Sequence, residues 1–320
     1  MNTRARAAAA AILLAGIGIG LAGCAPEPGE AASTAGKEAA TQEPGAGTAE
    51  GSGAASGEDS GKDSGKDTGK DSGEDSGDAA GEQPAAPKLE QGELDRRLRD
   101  AAWANDTGTA RQLIAWGADV NAVDETVQSA YLIATSEGRM ELLRLTLKHN
   151  ADVAALDSWQ GTGLIRAAER GHWDISGELI RAGVAVDHVN NLGYQAVHEA
   201  VWLGRDDPSY HATLRVLAAG GATLDTLSIT EGLTPLQMAE QRGFAGSSAI
   251  LRTLTETPPP ADPPAALLDA ARAGDADAVA LALRAGADPA TADAAGVSAR
   301  RLAEDGGHPL AAQVIRALGG

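Results

Sequence analysis

The chain has 320 residues, a formal net charge of −19 and a single cysteine, Cys24. A chain this acidic, with no basic stripe, lacks the electrostatic footprint of a nucleic-acid binder. One cysteine excludes an internal disulfide and a cysteine-based zinc cluster.

Arg4 and Arg6 precede an apolar run over residues 7–22. A charged start followed by a short, glycine-broken apolar stretch reads as a signal peptide rather than a membrane span. The run ends in Leu21-Ala22-Gly23-Cys24, which resembles the bacterial lipoprotein signal. That resemblance implies removal of residues 1–23 and lipidation of Cys24, leaving the chain anchored on the extracytoplasmic side of the cell membrane. An ordinary signal peptide with an incidental cysteine is the bland alternative. Residues 24–90 then form a tether dominated by Gly, Ser, Ala, Pro and acids, with Gly-Glu/Lys-Asp-Ser/Thr repeated from Gly57 to Ser76. Such a segment has little apolar surface to bury, so disorder is expected, with an end-to-end distance of about 45 Å. Weak calcium binding or Ser/Thr glycosylation of the tether stays open.

From residue 91 onward a period of 33 takes over. Ala118-Asp119-Val120-Asn121 returns as Ala151-Asp152-Val153-Ala154 and again as Val184-Ala185-Val186-Asp187. Ser129, Thr162 and Gln195 keep the same spacing, and the phrase is fullest at Thr234-Pro235-Leu236-Gln237-Met238-Ala239. Each unit reads as turn, short helix, tight turn, longer helix and a Gly stop. A unit so short cannot bury its apolar face alone, so neighbours must stack. These marks resemble the ankyrin repeat, with its period of 33 and Thr-Pro-Leu-His-x-Ala phrase. The resemblance implies an all-α solenoid of about seven helix-turn-helix units that binds protein partners.

Five units are expected over residues 91–256, with a stretched turn at 205–209 in the fourth. The run Pro258-Pro259-Pro260-Ala261-Asp262-Pro263-Pro264 reads as a stiff linker over 257–264. Two more units follow over 265–320, and Arg300 and Arg301 stand where apolar residues are expected, as suits a carboxy-terminal cap.

Catalytic signatures are missing: no phosphate loop, no Gly-x-Ser-x-Gly elbow, no His-Glu-x-x-His, and no metal-ligand spacing among the six histidines. His172 and His198 match family positions and read as packing and hydrogen-bonding residues. No cofactor, metal, small-molecule substrate or intrinsic enzyme activity is expected. The resemblance implies instead an unidentified protein partner, held near the membrane through the lipid on Cys24. A protective or accessory factor for an envelope enzyme, for example in oxidative-stress defence, is the competing reading. Trp103, Trp116 and Trp173 are expected in the core. Trp159 and Tyr194 fall at turn tips and Arg170 and Trp202 at the ends of first helices, so these four are the expected partner-binding residues.

Overall fold

The computed structural model describes residues 88–320. The expectations for residues 1–87, including the signal segment, Cys24 and most of the tether, lie outside the described residues. Fourteen α-helices and no extended strand occur among them; pairing of extended backbone is confined to two isolated bridges, Leu156 with Thr162 and Ala292 with Ser298. The first five units are helix pairs: α1 (Gln91–Trp103) with α2 (Thr107–Ala115), α3 (Ala130–Ser136) with α4 (Met140–Lys148), and α5 (Gly163–Glu169) with α6 (Trp173–Arg181). Next come α7 (Ala196–Trp202) with α8 (Pro208–Ala219) and α9 (Pro235–Gln241) with α10 (Ala245–Glu256).

The recurring Ser/Thr of the sequence is the N-cap of each short helix. Ser129, Thr162 and Thr234 each accept a hydrogen bond from the amide three residues on, satisfying a donor that the first helical turn leaves orphaned. In α7 Gln195 takes this place, and the ring of His198 accepts from the Gln195 amide at 3.3 Å. At the other end of the unit the chain must turn through positive φ, which glycine adopts without strain. Gly117 and Gly183 lie at φ +101° and +88°, and Asn150 fills the equivalent place between them at +62°.

The first helices of the units form an inner row, α1 on α3 on α5 on α7 on α9, with the second helices as an outer row behind it. Buried leucines, isoleucines and alanines run continuously between the rows. Side-chain bonds to neighbouring units fix the spacing. His172 Nε2 lies 3.2 Å from the Ser136 carbonyl, the Tyr210 hydroxyl donates to the Glu169 carbonyl at 3.0 Å, and Asn121 bridges to Asn150 and Asp152. The stretched fourth unit is resolved differently from expectation. Asp207 caps α8, and Pro208 and Ser209 enter the helix, so the extra residues lengthen α8 as well as the turn.

The last two units comprise α11 (Pro263–Ala273), α12 (Ala276–Arg284), α13 (Ala299–Asp305) and α14 (Pro309–Ala317). Pro263 and Pro264 open α11 behind the cap Asp262 instead of ending an extended linker, because proline lacks only a donor that the first turn does not use. These units do not extend the row. Helices α12 and α14 lie against the outer helices α6, α8 and α10, so the chain folds back on itself. Composition explains both halves of this. Units five's helices expose Gln237, Glu240, Gln241, Arg252, Thr253 and Glu256, a polar set that would be costly to bury under a sixth unit. Helix α8, by contrast, buries Tyr210, Ala212, Thr213, Leu214, Val216, Leu217, Ala218 and Ala219, apolar nearly all round, and so needs cover on two sides.

Polar contacts orient the fold-back. Arg215 pairs with Asp277 at 2.6 Å. Arg284 donates to the carbonyls of Ala218 and Ala222 at 3.0 and 2.6 Å, a cation placed at the negative end of α8. The Arg316 guanidinium stands 5.3 Å from the centroid of the Trp173 ring. A Cβ at Gly177 would collide with the backbone carbonyl of Ala317, so the absence of a side chain there permits the close approach of α14. Gly177→Val should therefore cost about 1–3 kcal/mol as overpacking. Lower melting midpoints and faster proteolytic cleavage around residues 257–262 are the expected readouts, and an unchanged midpoint would contradict this packing.

Candidate functional site

Between successive units the chain makes hairpin fingers, each organised by one side chain at its base. Asp124 Oδ1 accepts from the amides of Thr126 and Gln128, and Asp157 Oδ1 from those of Trp159 and Gly161, all between 2.8 and 2.9 Å. Asn190 Oδ1 takes the same role with Leu192 and Tyr194, and Asp293 with Ala295 and Val297. One acceptor collecting two amides closes a tight turn without a second strand. The amides of Val297 and Ala295, by donating to it, also help hold the Asp293 carboxyl below its ordinary range.

The fingers are tied to one another. The Asn191 amide donates to the Trp159 carbonyl at 3.0 Å, and the Ile229 amide to the Gly193 carbonyl at 3.1 Å. Thr230 Oγ1 donates to the Leu192 carbonyl. Gly193, at φ +86°, has no room for a Cβ against Ile229. The second, third and fourth fingers thus form one hydrogen-bonded edge.

The fingers carry apolar side chains. Eight large hydrophobic residues are exposed among the described residues, and five of them, Val123, Trp159, Val189, Leu227 and Ile229, belong to fingers or the residues just before them. Ile229 is 79% exposed and Trp159 37%. Single exposed apolar residues mean little, but one on each of four consecutive fingers makes a row.

The four residues expected to bind a partner divide. Trp159 stands exposed at a finger tip, as expected. Tyr194 does not: it is 3% exposed, its ring 6.3 Å from both His198 and Trp202, with Glu231 and Thr230 at its hydroxyl. A finger closed by Asn190 turns residue 194 inward, which a tip position counted from spacing does not reveal. Trp202 is half-buried against the core, and Arg242 covers it with its guanidinium 6.0 Å from the ring centroid and a hydrogen bond to its carbonyl. Arg170 is half-exposed and paired with Glu137 at 2.7 Å. Trp103, expected in the core, is exposed at the end of α1, whereas Trp116 and Trp173 are partly buried. Val123, Val189, Leu227 and Ile229 were legible only as apolar residues out of phase with the helical stripe.

His198 is buried, its Nε2 3.0 Å from the Thr226 carbonyl; burial pushes its pKa down, so it is neutral at physiological pH. Glu199 beside it turns to Asn190 instead, at 2.7 Å. The two adjacent titratable groups therefore serve different contacts. No group of three or more potential metal ligands is found among the described residues.

Tyr194→Ala and Trp159→Ala should separate structure from surface. Truncating the buried tyrosine is expected to cost about 3–5 kcal/mol, as for large aromatic core residues. The tryptophan variant should melt close to the native protein, and thermal denaturation followed by circular dichroism tests both.

No family model matches the chain. It is 32% identical over 140 residues to the putative ankyrin repeat protein YahD of Escherichia coli strain K12, which spans 43% of this chain and 69% of that protein. It is 30% identical over 154 residues to the nuclear factor NF-kappa-B p105 subunit of Gallus gallus, but over only 15% of that protein's length. A solved ankyrin repeat domain from Acinetobacter baumannii AYE is 42% identical and covers 49% of this chain and 80% of its own, with a TM-score of 0.47. With the 33-residue unit, the stacked helix pairs and a relative matched over more than two thirds of its length, the chain belongs to the ankyrin-repeat family.

Proposed function

We propose that this protein is a lipid-anchored scaffold that captures another protein outside the cytoplasmic membrane, along its row of fingers. The observation that carries the binding reading is the set of exposed apolar residues on four consecutive fingers, Val123 on the first and Trp159, Val189, Leu227 and Ile229 on the three that are tied. The outer face behind the third to fifth units is already occupied by α12 and α14, which leaves the fingers and inner helices as the side for a partner. Aromatic and aliphatic side chains held on a rigid edge lose much apolar surface and little entropy when covered. The location rests on the sequence alone: the apolar run after Arg4 and Arg6, ending at Cys24, supports a lipid anchor, and residues 24–90 have the composition of a spacer.

Two experiments test the two halves. Envelope proteins bound by the native chain should be retained at least tenfold more weakly by a Trp159→Ala, Ile229→Ala double variant of unchanged melting midpoint, since one decade corresponds to about 1.4 kcal/mol. Equal retention by the double variant would move the interface off the fingers. Cys24→Ser should release the mature protein from membranes or stall its processing. A variant that is processed normally and still sediments with membranes would rule out the lipid anchor.

A further inference from the structure

One position in the inner row breaks the apolar pattern. Ile133, Arg166, Glu199 and Met238 occupy the same place in four successive units, and Ile133 and Met238 have no exposed surface. Glu199 is only 3% exposed. Its Oε1 accepts from Asn190 Nδ2, whereas its Oε2 is enclosed with no hydrogen-bond partner, donor or acceptor. Arg166, the counterpart one unit earlier, is engaged elsewhere, with Glu169 and, at 3.4 Å, with Asp157. The local inventory is thus three carboxyl groups and one guanidinium.

Helix α5 contributes Arg166 and Glu169, and the second finger Asp157. The third finger brings Asn190 and Tyr194, and Glu231 of the fourth finger lies at the tyrosine hydroxyl. Helix α8 contributes Tyr210, bonded to the Glu169 carbonyl. On α7 itself His198 is buried against Thr226, and Glu240 and Arg242 near the end of α9 are exposed.

We propose that Glu199 is a proton-operated latch on the third finger: protonated, it holds the finger in the tied edge, and ionised, it loosens it. Asn190 is the hub of this device. Its Nδ2 binds Glu199 while its Oδ1 closes the finger through the Leu192 and Tyr194 amides. The same finger bonds to Trp159 on one side and Ile229 on the other. An ionised carboxylate enclosed beside Glu169 and Asp157 must gain solvation, and the finger is the element hydrogen-bonded directly to it. Burial, with the Glu169 and Asp157 charges adding and Asn190 and Arg166 opposing, pushes the carboxyl up to about 7. The folded-state value lies above the ordinary 4.5, so the stabilising contribution is complete below that value and is lost as pH rises through about 7. The latch regulates the edge described under Proposed function and rests on that reading for its biological consequence only.

The test uses the full chain without a partner, so it fails or succeeds separately from the binding reading. Amide hydrogen exchange over residues 190–194, corrected for the intrinsic rate, is compared at pH 6 and pH 8 in the native protein and in Glu199→Gln, an isostere of the protonated acid. Native protection should fall about tenfold at the higher pH, roughly 1.4 kcal/mol of local opening, while the variant's stays constant. The melting midpoint of Glu199→Gln should exceed that of the native protein at pH 8 and match it at pH 5. Should the glutamine variant fold poorly, Glu199→Met, with the residue that the fifth unit uses at this place, takes its part. Native protection that ignores pH, or a Glu199 carboxyl carbon resonance that titrates near 4.5, would overturn the proposal.

Discussion

Helix α8 is the constraint on which the rest of this structure depends. It is longer than the outer helices of the first three units and apolar on two sides, so one stacked neighbour layer cannot cover it. The inner helix α7 takes one face, and α12 and α14 take the other. This second contact turns what would be a simple row of units into a folded-back one. Arg284 and Arg215 set its orientation, and Gly177 sets its closeness. A repeat array whose units contact only sequence neighbours gains stability roughly as a sum of nearest-neighbour terms. Here the sixth and seventh units contact the third to fifth, which couples regions far apart in sequence.

The fold-back also gives the molecule a direction. An ordinary stack presents an inner and an outer face; here the outer face of the central units is internal surface. The fingers project from the remaining side; Asp157 and Asn190 gather two amides each at the base of the second and third, Ser228 takes one in the fourth, and backbone bonds join these three. Rigid display of otherwise loop-like residues is what allows Trp159 and Ile229 to stay exposed without collapsing onto the core.

Polar residues in the inner row reveal a second layer of organisation. Arg166 and Glu199 stand between Ile133 and Met238 in a position that would be simplest to fill with leucine or isoleucine. The substitution joins the inner helix to the base of the third finger through Asn190. Burying such groups lowers stability unless each finds a partner, so their presence couples the geometry of the edge to the protonation of the interior.

The repeat, the helix pairs, the caps and the glycine stops were written in local spacing, because a 33-residue period and an N-cap Ser or Thr act within a few residues of themselves. The lone polar sites in the apolar row and the two-sided character of α8 were present in the letters too, yet their meaning depended on what lies across from them. Only the tertiary structure decided that the last two units return to α8 instead of extending the row, since the proline segment permits either path. It also decided which aromatic faces outward. Tyr194 and Trp159 occupy neighbouring fingers, but Asn190 folds one ring inward against His198 and Trp202 while the other stays at its tip. Spacing places a residue on a finger; the hydrogen bonds that close the finger choose the direction of its side chain.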